Sequence, residues 1–118
     1  MEKLTPEHHD DVLAATSHLP HVLAFAMVDM LASRQEAEEV FRYSAGGLRD
    51  FTRIASGETV MWRDICLTNQ EPVVKAIDEL EAHLSVIKKA IINKDAQTIE
   101  TVFSRARETR SLHIIDKA

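Results

Sequence analysis

Residues 71–91 read EPVVKAIDELEAHLSVIKKAI, and their spacing decides the fold class. Val73, Ile77, Leu80, Leu84, Ile87 and Ile91 recur at alternating steps of four and three residues. Such a repeat lays one continuous apolar seam along an α-helix, the pattern by which helices pair with helices. Asn93-Lys94-Asp95 ends this helix and caps the next, whose buried face is marked by Ile99, Val102, Phe103 and Ala106. Two long helices joined by so short a turn are expected to form an antiparallel hairpin. Their stripes are wide for a small domain, which predicts a core shared with a second copy of the chain.

Upstream, Glu58 to Asn69 reads as a helix, preceded by a turn at Ser56-Gly57. From Leu48 to Ala55 the helical period places Leu48, Phe51, Thr52 and Ala55 on one side, with Arg49 and Arg53 on another and Asp50 between them in angle. Ala45-Gly46-Gly47 breaks the pattern before it, after a short helix from about Arg34 to Tyr43 with exposed Glu36, Glu38 and Glu39. Leu19, Leu23, Ala26 and Met30, widened by Phe25 and Met27, make the segment after Ser17 apolar around most of its circumference, so it should be buried. Ser17 is placed to cap that helix, with Pro20 in its first turn. Thr5-Pro6-Glu7 starts a first helix running to about Thr16, with a hydroxyl N-cap, proline at the first position and an early acid.

The composition agrees. A length of 118 residues fits one domain spanning 1–118, and three glycines, three prolines and 5% aromatic residues are too few for a β-rich fold. The expected class is all-α. A net charge of −5 without a basic run argues against nucleic acid as a partner. The apolar stretch from Leu19 to Leu31, interrupted by Pro20, His21 and Asp29, is too short and polar to span a bilayer, so no membrane partner is expected. A lone cysteine, Cys66, and an N-terminus without a secretory pattern point to the cytoplasm.

Chemistry concentrates in two stretches. In the first, Gly46 and Gly47 permit close backbone approach at a helix start. One turn on, Arg53 stands on the polar face near Arg49 and Asp50, and a guanidinium fork grips a carboxylate through two parallel hydrogen bonds. The alternative is a solvated Arg/Asp face. In the second, His18 and His21 lie three apart at a helix start, suited to acid–base work, to polar clamping, to metal ligation or simply to hydrogen-bonded burial. No Cys, Asp or Glu cluster is placed to complete a metal site, so none is expected. Trp62, the one tryptophan, reads as a core or interface anchor, with Cys66 on its helix face as a packed hydrophobe.

These stretches, in this order and spacing, resemble the C-terminal domain of the prephenate/arogenate dehydrogenase family. Its pattern is Ser-His-Leu-Pro-His entering an apolar helix, then Gly-Gly-Phe-(Arg/Lys)-Asp-Phe-Thr-Arg-Ile-Ala, then Met-Trp-Arg-Asp-Ile. Here Ser17 to His21, Gly46 to Ala55 and Met61 to Ile65 match, and Pro6-Glu-His-His-Asp10 resembles the usual entry into the domain. Leu48 replaces an aromatic residue, and Gly57-Glu58-Thr59 replaces an Asp-Pro turn.

The resemblance implies a helical domain intertwined with its copy in a homodimer, belonging to an enzyme that oxidises and decarboxylates prephenate or arogenate with NAD or NADP. The products are 4-hydroxyphenylpyruvate or tyrosine, and tyrosine is a candidate feedback inhibitor. It also implies that Arg53 binds a substrate carboxylate, that His21 lines the pocket with Gly46 and Gly47 close to the ligand, and that Trp62 reaches toward the neighbouring subunit's site. Asp50 and Arg49 would join an ionic network at the cleft. No glycine fingerprint follows a strand here, so the dinucleotide-binding domain and the catalytic histidine are expected to lie outside this sequence. Alone, the chain should neither bind dinucleotide nor turn over substrate. A free-standing helical interaction or regulatory module, with no enzymatic parent, is the other reading.

Overall fold

The computed structural model describes residues 5–114, and among them every regular element is a helix. The chain divides after Ile77 into two units, the second beginning at Asp78.

In the first unit, α1 (Pro6–Leu13) starts where expected, with the Thr5 hydroxyl accepting from the His8 N–H at 3.1 Å. The expected break at Ser17 is absent. A π turn (Ala14–His18) carries α1 directly into α2 (Leu19–Ala32), and Ser17 caps nothing. Pro20 supplies the reason: it has no N–H for the Thr16 carbonyl, and its ring would press on that group in a regular helix. A wider turn just before it relieves the clash without ending the helix. The joined run, Pro6–Ala32, is long and apolar enough to cross a membrane by length and mean hydropathy (1.3), which the shorter stretch judged from sequence was not. Its packing gives that apolarity another use, because the elements that follow lie against α2.

Those elements are α3 (Ala37–Arg42), α4 (Gly46–Thr52) and a 3₁₀ turn (Arg53–Ser56), each packed on α2. The single helix expected from Leu48 to Ala55 thus tightens at Arg53. Helix α5 (Thr59–Thr68) is started by Glu58, whose carboxylate accepts from the Val60 N–H at 3.0 Å. It stops at Thr68, the residue four before Pro72, for the reason given at Pro20: the proline offers no N–H to that carbonyl. Asn69 makes the corner, and α6 (Gln70–Ile92) begins at once. Lys75 on α6 lies 3.5 Å from Asp11 on α1. The buried apolar residues of this unit are Ala14, Ala24, Val73 and Ala76, mostly alanines that let backbones approach closely.

The second unit holds the rest of α6 and α7 (Ala96–His113). Their turn is a Schellman motif: Lys94 takes a left-handed conformation (φ 54°), its N–H reaches the Ile91 carbonyl at 3.1 Å, and the Asp95 N–H reaches Ala90 at 2.8 Å. Asp95 then caps α7, accepting from the Thr98 N–H at 3.1 Å and its hydroxyl at 2.6 Å. These bonds hold its carboxyl below the usual range. The turn joins α6 and α7 as the sequence expects, and the apolar seams are left largely open. Of the seam, Leu84 and Ile91 are more than half exposed, as is Phe103 on α7, and the buried apolar residue here is Ala90.

A lysine in the left-handed region is strained by its Cβ, whereas glycine is not. Lys94→Gly is therefore expected to stabilise the chain by about 1 kcal/mol or less. Urea unfolding would show it; a destabilised variant would mean that Lys94 contributes more than its backbone.

Candidate functional site

The π turn and the corner at Asn69 bring the two histidines against α5. The carbonyl of Ser17 can only accept, so the 2.9 Å contact to Nδ1 of His21 is a donated N–H. Neutral His21 thus keeps its lone pair on Nε2. His18 is the opposite tautomer. The Asn69 amide nitrogen donates both to the Asp10 carbonyl at 2.9 Å and to Nδ1 of His18 at 3.2 Å. The carbonyl fixes which end of the amide is the nitrogen, so Nδ1 of His18 is the acceptor and the proton sits on Nε2.

Trp62, one turn into α5, lies between them. Its indole stacks on the His21 imidazole with centroids 3.7 Å apart and planes 17° from parallel. His18 meets the same indole edge-on at 6.2 Å and 75°. Beside the stack opens a cleft of about 250 Å³, walled by His21, Val22, Phe25, Thr59, Trp62, Arg63 and Cys66. It is mainly apolar, and it falls short of the roughly 300–1,000 Å³ of a complete ligand pocket.

The structure therefore brings His21 and Trp62 together, and places Cys66 on the same wall. The other candidates stand apart from that pair. Arg53 opens the 3₁₀ turn that packs on α2, but its side chain is exposed. Asp50 and Arg49 are exposed too, and neither pairs with the other or with Arg53 within 4 Å among the described residues, so the expected ionic network is not formed within this chain. Arg49 and Asp50 are adjacent on a helix, and adjacent side chains there diverge. Gly46 and Gly47 open α4 with no positive φ, and a Cβ on either would meet nothing within 4 Å. Neither turn geometry nor packing inside the chain calls for glycine there. Trp62, which the resemblance directs toward a neighbouring subunit, stacks within its own chain.

Sequence reasoning missed Asn69 and Gly57. Asn69 lies 51 residues from His18 in sequence, and no local pattern announces the contact. Among the described residues no three His, Cys, Asp or Glu side chains gather as a metal-binding group.

The His18 pKa is lowered, first by burial and then by the charge of His21, with Asp10 pulling the other way. The unfolded chain takes up this proton from about pH 6.5 downward. Stability that depends on neutral His18 is thus complete above that pH, and is lost as pH falls through the lower folded value. Gln at this position keeps an acceptor for Asn69 but does not titrate. Urea unfolding across the acid range should show a shallower loss for His18→Gln than for the unaltered chain; equal slopes would exclude His18 as the source.

A family model described as "Prephenate dehydrogenase, dimerization domain" matches residues 5–105. The chain is 37% identical over 109 residues to a cyclohexadienyl dehydrogenase of Zymomonas mobilis, covering 91% of this chain and 37% of that protein. It is 35% identical to a prephenate dehydrogenase of Bacillus subtilis, covering 92% of this chain and 29% of the relative. The chain thus spans about a third of the length of these curated relatives. Among solved structures it is similar to the prephenate dehydrogenase of A. aeolicus in complex with hydroxyphenyl propionate and NAD+, with a TM-score of 0.85 and 41% identity over 93% of this chain and 39% of that one.

Proposed function

The chain belongs to the prephenate dehydrogenase dimerization-domain family, and from that premise we propose that it is the subunit-pairing and substrate-contacting domain of an NAD(P)-dependent prephenate or arogenate dehydrogenase. The observation that carries this reading is the stacked His21–Trp62 pair on the wall of an apolar cleft. The cleft accepts the flat face of a ring, and the ring hydroxyl of prephenate or arogenate is a donor suited to the lone pair left on Nε2 of His21. Arg53, exposed and with no carboxylate within 4 Å among the described residues, is the group for a substrate carboxylate, and a Cβ on Gly46 or Gly47 would meet nothing within 4 Å, which leaves room for a ligand there. A relative of this chain is known in complex with hydroxyphenyl propionate, a hydroxylated ring joined to a carboxylate.

NAD or NADP would supply the hydride acceptor. A dinucleotide-binding βαβ unit needs strands, and the described residues form helices alone. We therefore assign that site to another part of the enzyme, together with the base that takes the hydroxyl proton. What this chain contributes is orientation: a cation for the carboxylate, an imidazole acceptor for the hydroxyl and an apolar wall that keeps water from the ring. The free, half-buried thiol of Cys66 suits a reducing compartment such as the cytoplasm.

Pairing of two copies is the second part of the proposal. Leu84, Ile87, Ile91 and Ile92 line an open groove on α6, and a seam of that period takes the matching seam of another helix. Each large aliphatic side chain buried in such a seam contributes about 1.5–3 kcal/mol. Leu84→Asp combined with Ile91→Asp should weaken the dimer by about a hundredfold or more. Sedimentation of the purified chain measures this, and a strict monomer before substitution would defeat the pairing proposal.

For the substrate, a charge-assisted bond of the Arg53 kind is worth about 1.5–3 kcal/mol. In the full-length dehydrogenase carrying this domain, Arg53→Ala should raise KM by about tenfold or more, with Arg53→Lys a poor rescue because the fork is lost. Unchanged steady-state kinetics in the alanine variant would remove Arg53 from the site.

A further inference from the structure

Gly57 links the turn before α5 to the indole that follows it. Its backbone, at φ −69° and ψ 172°, is open to any residue, so main-chain freedom does not call for glycine. Space does. A Cβ on Gly57 would stand 3.1 Å from Nε1 and 3.3 Å from Cδ1 of Trp62, inside the roughly 3.5–4.0 Å at which carbon atoms rest comfortably.

The indole has little freedom to yield without leaving its partner. Its face lies 3.7 Å from the His21 imidazole, and that ring is tied by Nδ1–H to the Ser17 carbonyl at 2.9 Å. On the other side, the Gly57 N–H reaches the Ile54 carbonyl at 3.3 Å, which fastens the turn. The indole is thus bounded by an anchored imidazole on its face and an anchored main chain at its pyrrole edge. Any side chain at position 57 pushes that edge and slides the ring across His21.

We propose that Gly57 is a positioning residue for Trp62: its missing side chain sets the overlap of indole and imidazole and, through it, the width of the adjoining cleft. The consequence for substrate rests on reading that cleft as the ring site; the consequence for the indole does not.

The test is Gly57→Ala in the 118-residue chain, read by NMR at the His21 ring protons, which a stacked indole displaces upfield. The displacement is expected to shrink, with a change in emission from the lone tryptophan. Thermal stability should not fall for backbone reasons, since Gly→Ala at a compatible conformation stabilises through the unfolded state. In the Trp62→Phe background, which lacks the pyrrole edge, the same substitution should leave His21 as Trp62→Phe alone leaves it. A Gly57→Ala chain that unfolds but regains its fold with Trp62→Phe reports the same clash. An unchanged His21 displacement overturns the proposal, as does unfolding in both backgrounds, because the methyl then meets something other than the indole. In the full-length enzyme, Gly57→Ala should raise KM several-fold with kcat little changed. A moved indole with unaltered KM would leave Gly57 as the positioning residue and remove the cleft from substrate binding.

Discussion

Helix α2 carries apolar side chains around most of its circumference, and water has to be kept from it on nearly every side. The first unit meets that demand only in part, against the burial expected from sequence: Ala24 is the one fully buried residue of α2, and Met30 is more than half exposed. The short helices α3 and α4 and the 3₁₀ turn pack on it in succession, and Trp62 of α5 lies against its first turn through His21. Because Pro20 permits only a wide turn before it, the preceding helix enters without a break. Around that turn the Ser17 carbonyl meets the His21 ring, and His18 lies within reach of Asn69.

The opposite tautomers divide the work between rings of one kind. His18 spends its lone pair inside the protein, on the amide that also holds the Asp10 carbonyl, so it serves structure. His21 spends its N–H inside and keeps its lone pair, so a donor on a ligand is what it can still accept. Stacking against an indole adds a constraint, since the imidazole can neither tilt nor rotate without losing face contact.

Much of this was legible in sequence. The seam from Val73 to Ile91 and the caps at Thr5 and Asp95 depend on local spacing, and local spacing is what a sequence displays. The break expected at Ser17 misjudged a competition: a hydroxyl suited to capping against a helix that could widen instead of ending. The Arg49, Asp50 and Arg53 group was placed by assuming a continuous α-helix, whereas a 3₁₀ turn begins at Arg53 and no ion pair joins the three among the described residues. His21 and Trp62 were named separately; their stack was not foreseeable, because 41 residues of chain separate them and only the packing of α5 against α2 brings the rings together. Gly57 was read as a turn former, whereas its neighbour across space is what requires it.

The open surfaces make the last step. A seam that meets the heptad pattern through six positions, yet leaves Leu84 and Ile91 more than half exposed, is not explained by the needs of one chain. The cleft beside Trp62 is similarly incomplete, too small to enclose a ligand and walled on one side by a ring that rests on its own neighbour. Among the described residues, Arg53 is exposed without an ion-pair partner, and a Cβ on either of the paired glycines would meet nothing within 4 Å. Each deficit is of the same kind: a surface shaped for contact with no contact inside the chain. The proposed function answers all of them: a second copy would close the seam and a dinucleotide-bearing domain would close the cleft, so that substrate would meet its full set of partners only in the assembled enzyme.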